Sequence, residues 1–600
     1  MKRSEIDIKE TWDISNVFES IEIYEQELER YKKLVDEFVE NYEGKISDKE
    51  ILVNSLNDRI EIYELVSKLS AYAGLPTEAD KLDDELAARE MSFYDMYSQY
   101  NSNLSFYMDE LLSLDEELLE HAKTNKDFTV FIDDLLEEKS HRLHPETEKA
   151  LSALSNTLNV PYRVYNDTKA RDINFPDFVI DGKSYDLSYN KFEGEYEYDP
   201  DTQVRRKAFE AFSKEIGKYQ HTTASVYNAQ IQKEATLARL RGFDSVFDYH
   251  LLDQKVSMDL YNRQLDVVMA ELAPHMRKYA GILKQIHKLD EVHYADLKLD
   301  IDPSYSPEIT FDDAKKYILD GLSILGDEYL AIMDNAFENR WIDYANNDGK
   351  STGAFCSTPY GTPAFICMTF NNIMSDVMTL AHELGHAGHF ILAHREQNIL
   401  NSNPSMYFVE GPSTTNELIL ENYLLDLAEE KNDLRMKRWV LSQMVAKTYY
   451  HNFVTHLLEG YYQREVYKLV SEGNNLNANM LNKIFKETLE KFWDDAVILD
   501  PGAELTWMRQ PHYYMGLYPY TYSAGLTIGT QVARKIRSEG KPAAEKWIEV
   551  LKAGGTKRPL ELAQMAGVDI STDQPLKDTI SYIGSLIDEI ESISKELGEI

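Results

Sequence analysis

The sequence predicts a mainly α protein with one small β-sheet beside a candidate metal site. Three observations carry this. Apolar residues recur at three- and four-residue spacing through most of the chain, with charges between them, the pattern of amphipathic helices. Strand-like texture is confined to two short stretches. The second of these runs into the segment His382-Glu383-Leu384-Gly385-His386.

In chain order, residues 16–140 read as long charge-rich helices such as IYEQELERYKKLVDEFVENY and DELAAREMSFYDMYSQY, a solvated scaffold. Over 171–200 the texture changes. Asp181-Gly182 separates two strand-like runs as a tight turn. This predicts a small β-like insert and a boundary, giving an N-terminal helical domain over 1–200 and a catalytic domain over 201–600. Helices resume at Asp201. Residues 351–370 predict a hairpin: Gly353-Ala354-Phe355-Cys356, a Gly/Pro turn through Gly361-Thr362, then Ala364 to Phe370. A helix starting near Ser375-Asp376 follows, and either residue is suited to cap it. Residues 411–500 are helical again, 503–525 are rich in aromatic side chains, and the end is helical.

The 600 residues suffice for a large core and more than one folding unit. Sixty-three basic residues stand against 103 acidic ones, a net charge of −40. Nucleic acid and anionic membrane surfaces are therefore excluded as partners, since both need a basic face. The first residues show no apolar leader, and no apolar run approaches the ~18 residues of a membrane span. A cytoplasmic monomer or weak homo-oligomer is expected. Cys356 and Cys367 are the two cysteines. Placed symmetrically about Gly361-Thr362, they are positioned to face each other across the hairpin, although a reducing compartment favours two free thiols.

His382 and His386 are four apart, so one helical face carries both imidazoles to one ion. Glu383 is rotated about 100° from His382, within reach of a water activated by the metal but not a ligand itself. A metal that lowers a water's pKa and a carboxylate that takes its proton are what hydrolysis requires. A third protein ligand is needed. Glu410, 24 residues past His386 in Phe408-Val409-Glu410-Gly411-Pro412-Ser413, lies where a helix–loop–helix return brings a carboxylate back. Glu417, seven further on, is suited to orient a ligand histidine. His389 is the rival ligand, but a straight helix rises about 10 Å from His382 to His389, too far for three histidines to share an ion.

Asp376-Val-Met-Thr-Leu-Ala-His-Glu-Leu-Gly-His386, together with Phe408 to Ser413, resembles oligoendopeptidase F, a bacterial branch of the thimet oligopeptidase family. Thr11-Trp12-Asp13-Ile14, Gly353 to Cys356, Tyr360-Gly-Thr-Pro363, Pro511-His512 and Ala566-Gly-Val-Asp569 extend the resemblance over nearly the whole chain. It implies a helical, clam-like shell around a deep substrate channel, cleavage of internal bonds in short peptides, one Zn2+ per chain on His382, His386 and Glu410, and Glu383 as base.

The segment Trp507 to Gly525 is dense in aromatics. Phenol and imidazole are suited to donate to a developing oxyanion. His512 is the first choice, and the resemblance implies a histidine there. Tyr518 and Tyr522 can share a helical face starting at Pro519. The resemblance implies a catalytic tyrosine at Tyr518, Tyr520 or Tyr522. Tyr520 points elsewhere by helical phase and is assigned, with Gly353, Ala354 and Phe355, to substrate contact, the hairpin edge offering backbone hydrogen bonds to an extended peptide. Tyr513 and Tyr514 read as core. The alternatives are a helical zinc metallocarboxypeptidase, which a free Arg or Lys in the cleft would support, and an inactive peptide-binding protein, against which the intact Glu383 speaks.

Overall fold

Apolar stripes at helical spacing become helices along the whole chain. The structure is a computed structural model that describes residues 1–305, 307–351 and 353–600, without the side chains of Ser152 and Asn156. Helix α1 (Ile21–Tyr42) starts on Ser20, whose side chain accepts from the Ile23 N–H, and buries Tyr24, Tyr31, Val35, Phe38 and Tyr42. Burying Val35 or Phe38 contributes about 1.5–3 kcal/mol each. Helix α2 (Lys49–Ala79), capped by Asp48, packs against it. These helices and their neighbours to residue 135 share one buried apolar cluster. A larger cluster runs from Tyr165 to Ile593.

Two small sheets are present among the described residues. Strands β1 (Phe178–Ile180) and β2 (Lys183–Tyr185) pair antiparallel about Asp181-Gly182, both at positive φ (49° and 84°), as a tight hairpin turn requires. The second sheet has the order β3-β5-β4, from β3 (Ile342–Asp343), β4 (Phe355–Ser357) and β5 (Phe365–Cys367). The expected hairpin is β4 and β5, antiparallel. The parallel partner β3 was not expected. Trp12 lies edge-on to Phe365 and tilted against Phe355, so the N-terminal segment seals this sheet.

The register corrects the cysteine geometry. Cys356 is opposite Ile366, and Cys367 is opposite Phe355. The thiols are one residue out of step and lie on opposite faces. Both are free. Burial pushes both thiols up, Cys367 to about 12.

The site is carried by a few helices of the larger core. Helix α3 (Met374–Glu396) holds the motif. Its N-cap is Ile373 and has no side-chain cap, so the expected capping by Ser375 or Asp376 does not occur. Asp376 instead accepts the Asn371 N–H and ties the incoming loop to the first turn. Helix α4 (Glu410–Glu430) lies between α3 and α7 (Pro519–Glu539). Helix α5 (Leu434–Gln443) continues through a π-helical run, Met444–Thr455, into α6 (His456–Ser471).

Candidate metal centre and active-site cleft

A cleft of about 890 Å3 opens onto α3, α4, β4, the π-helical run and the start of α7. At its floor, Nε2 of His382 and Nε2 of His386 each stand 3.4 Å from Oε2 of Glu410. Two close approaches set this geometry. A Cβ on Gly385 would stand 2.6 Å from the Ser413 Cα, so only glycine lets α3 meet the first turn of α4. A Cβ on Gly525 would stand 2.6 Å from the Glu410 Cβ, so α7 presses Glu410 from the other side.

The donor chemistry fits a divalent metal. Nδ1 of His382 lies 2.5 Å from Oε1 of Glu417. Burial would lower His382, but Glu410 and Glu417 hold it well above its usual range. The pocket therefore favours positive charge at Nε2, and a cation in place of that proton would meet two acceptors, Nε2 and the Glu410 carboxylate. Acceptors converge this way around a cation, since tetrahedral ligand atoms at about 2.0–2.2 Å stand roughly 3.3–3.5 Å apart. Burial by itself would raise Glu410, but the His386 and His382 imidazoles hold it well below the usual carboxylate range. Ser413 Oγ donates to the same Oε2 at 2.9 Å.

Glu383 is buried, 6% exposed, and lines the cleft beside these atoms. Burial pushes its carboxyl up, against the pull of His382 and His386. Behind Glu417 stands Glu421, which burial and then Glu417 hold well above its usual range. Thr448 Oγ1 donates to Glu417 Oε2 at 2.9 Å.

Tyr518 and Tyr522 line the cleft, half-buried, with the Tyr522 hydroxyl donating to that of Tyr518 at 3.3 Å. Burial pushes both phenols up, so they remain donors. His512 packs its ring against both, at 5.2 and 5.6 Å between centroids, one layer behind the lining. Ala354 and Phe355 line the cleft, and β4 is an edge strand. Gly353 precedes them, at φ 84°, outside the lining.

One assignment is corrected, and one rival ligand is set aside. Tyr520 turns into the core at 1% exposure, its hydroxyl bonded to Gln254, and makes no cleft contact. It is two positions from each of Tyr518 and Tyr522, about 200° around the helix, which is enough to turn it inward. His389, the rival ligand, is left out of the ligand cluster, although it lies close enough to His386 to feel its charge. It is fully buried against Phe390 and Phe408, both ring nitrogens unpartnered, and outside the His382–His386–Glu410 cluster. Burial lowers it to about 3.

Glu421, Thr448, His451 and Gly525 were not singled out from the sequence. The only signal for Glu421 was its place four residues after Glu417 on one helix face. Thr448 and Gly525 depend on packing between distant segments, and His451, which lines the cleft, on the π-helical backbone. Among the described residues, no helix is long and apolar enough to cross a membrane.

A helical shell with two histidines and a glutamate converging in a cleft, and a buried carboxylate beside them, defines a hydrolase of the metal-dependent type. Residues 195–582 match the family model described as Peptidase family M3, and residues 110–175 match that described as Oligopeptidase F. The chain belongs to peptidase family M3. Oligopeptidase PepF of Bacillus subtilis (strain 168) is 27% identical over 597 residues, covering 98% of this chain and 88% of that protein. An oligoendopeptidase F homolog of Borreliella burgdorferi is 24% identical over 602 residues, covering 99% and 100%. The crystal structure of oligoendopeptidase-F from Enterococcus faecium superimposes with a TM-score of 0.74 at 22% identity, over 96% of this chain and 100% of that one.

Proposed function

We propose that this enzyme is a zinc-dependent oligoendopeptidase, holding one ion on His382, His386 and Glu410 and cutting internal bonds of short peptides. The observation that carries the reading is the pair of 3.4 Å separations that set both Nε2 atoms around Glu410 Oε2. A zinc ion bound there supplies Lewis acidity, which lowers a water's pKa and polarises a carbonyl.

The chain's own residues do the rest. Glu417 fixes the His382 tautomer through Nδ1, so Nε2 is free to ligate. Glu383, with its raised affinity for a proton, takes one from the attacking water and returns it to the leaving amine. Tyr518, whose hydroxyl accepts from that of Tyr522, donates toward the oxygen where negative charge develops, and His512 packs behind both rings. The edge of β4 takes the peptide backbone by strand pairing, which gives affinity without reading sequence.

The cleft's cations argue against an obligate carboxypeptidase. Arg509 is bonded to Glu193 and Glu197, Lys298 to Glu197, and Lys447 lies over the Tyr198 ring, 3.6 Å from Asp300. Each already has an acidic partner. A division into an N-terminal helical part and a catalytic part remains the reading, but with its boundary moved from residue 200 to between Leu135 and Tyr165, since Phe178, Leu187 and Phe192 belong to the larger apolar core. A cytoplasmic setting and a monomer or weak homo-oligomer complete the reading. The test is mass spectrometry of a peptide mixture that includes C-terminally amidated peptides, with chelator and with zinc restored. Metal-dependent internal cuts in amidated peptides support it. Loss of single C-terminal residues only, from free carboxylates, overturns it.

A further inference from the structure

A second group of ligand-type side chains lies beneath Tyr522: His456, Glu459 and His512. Its distances differ from those of the metal centre. Nδ1 of His456 is 2.8 Å from Glu459 Oε2, and Nδ1 of His512 is 3.9 Å from the same oxygen. Ligands around a zinc ion stand roughly 3.3 Å apart. A 2.8 Å separation is a hydrogen bond, so this cluster is a hydrogen-bonded chain and not a second cage.

The chain has a further member. Nε2 of His456 lies 3.1 Å from Nε2 of His451. Glu459 and His456 are buried at 1% and 2%, whereas His451 is exposed and lines the cleft. The backbone explains how residues five apart meet. In an α-helix they differ by about 140° around the axis. Here the His456 N–H bonds to the His451 carbonyl, the i→i+5 bond that closes the π-helical run, and this brings the two rings edge to face, nearly one turn apart. Their centroids are 4.3 Å apart, and His456 in turn stacks on Tyr522 at 4.1 Å.

Proton order follows from the buried end. Glu459 Oε2, buried and 2.8 Å from Nδ1 of His456, is the acceptor that ends the chain. The carboxylate accepts from His456 Nδ1–H. With one proton on that ring, His456 Nε2 is an acceptor, and His451 must donate from Nε2. Its Nδ1 is then left with a lone pair, and no described protein group is bonded to it.

We propose that His451 is a substrate-binding residue of the cleft, accepting through Nδ1 a hydrogen bond from an N–H of the bound peptide, and that His456 and Glu459 are positioning residues that impose its tautomer. This rests on the oligopeptidase reading and names a contact within it. A neutral acceptor fixed in this way selects an N–H donor and rejects a carbonyl or carboxylate presented at the same point.

The test uses the full-length, zinc-loaded enzyme and one short peptide. His451→Asn sets an amide oxygen near the position of Nδ1 and keeps KM within about twofold. His451→Gln and His451→Phe raise KM about five- to tenfold with kcat little changed, the size of one net hydrogen bond in a step that binds ground and transition states alike. Glu459→Gln raises KM similarly alone but adds nothing in the His451→Phe background, since coupled residues are not additive. Additive effects, an unchanged KM in His451→Phe, or rescue by Gln in place of Asn each overturn the proposal. Imidazole nitrogen NMR of the wild-type chain reads the tautomer without any variant having to fold. A His451 protonated on Nε2 supports the proposal, and one protonated on Nδ1 overturns it. A second zinc ion retained per chain and lost in Glu459→Gln also overturns it. If the zinc-loaded wild type cuts no peptide at all, the peptidase reading fails instead, and the tautomer spectrum still decides this one.

Discussion

Gly525 and Glu410 meet backbone to backbone: a Cβ on Gly525 would lie 2.6 Å from the Glu410 Cβ and 2.9 Å from its carbonyl carbon. Real Cβ contacts do not approach that closely, and Glu410 cannot retreat, because α4 is held on its other side by Gly385 against Ser413. Gly525→Ala is therefore expected to displace the third ligand and weaken metal binding by about 10–100-fold, the usual cost of disturbing a ligand's support. Gly281→Ala is the control. It lies inside a helix with nothing within 4 Å of the added Cβ, and it should leave metal binding unchanged while stabilising the chain by up to about 1 kcal/mol. Metal retention in competition with a chelator measures both.

Glu383→Gln should keep the metal and the fold, because the amide fills the same buried space and Glu383 is not part of the ligand cluster. Removal of the base should lower kcat by about 10²–10⁴-fold. Turnover near normal in a metal-loaded variant would remove Glu383 from the mechanism.

Glu410→Ala should strip the metal, and His389→Ala should not. Glu410 Oε2 stands 3.4 Å from both ligand imidazoles, whereas His389 is walled off by Phe390 and Phe408. The His389 variant should show its effect in stability, through the cavity it leaves. Elemental analysis separates the two, and the reverse ranking would overturn the choice of third ligand.

His394 gives a pH dependence remote from the metal. It is largely enclosed, its ring against Tyr360 and Phe390, and burial lowers it to about 4. The unfolded chain protonates this side chain near pH 6.5 and the native chain only near 4, so the unfolded state binds more protons between them. Stability must then fall as pH drops through that window, by roughly 3 kcal/mol at most from this group. His394→Phe should flatten that part of the acid limb. Melting temperatures of both chains from pH 7 to 4 test it, and parallel curves would show that His394 does not titrate this way.

What the sequence made legible was local. The four-residue spacing of His382 and His386, the Asp181-Gly182 turn, the β4–β5 hairpin and the return to Glu410 are each written in a short stretch of chain. Most of the remainder depends on partners far apart in sequence, and one part on a backbone shift that leaves no mark in the apolar period. β3 is two residues long and exists as a strand only through parallel pairing with β5. The π-helical run from Met444 to Thr455 shifts every backbone bond by one residue without altering the apolar period enough to be seen, yet it brings His451 onto His456. Tyr520 could be turned away from Tyr518 and Tyr522 by helical phase alone, but phase does not say which face meets the cleft. That is decided by Gln254, which takes its hydroxyl from 266 residues away.

Substrate size should be limited by the shape of the site. The ligands lie on the floor of a cleft whose walls are helices, a strand edge and the Tyr518–Tyr522 face. Glu383 and Glu410 are 6% and 9% exposed, so a scissile bond reaches them only if the chain carrying it enters the cleft. An extended peptide gains about 3.3 Å per residue and is one strand wide, and the edge of β4 offers it a partner. A folded domain presents its bonds already paired and packed, and local unfolding must precede entry. One sequence, supplied as a free peptide of roughly 5–20 residues and again within a stable folded domain, should be cut in the first form and resist in the second. Mass spectrometry over matched times reads the outcome, with the domain's melting monitored to exclude prior unfolding. Equal rates for both forms would mean that the cleft is open enough for a general protease.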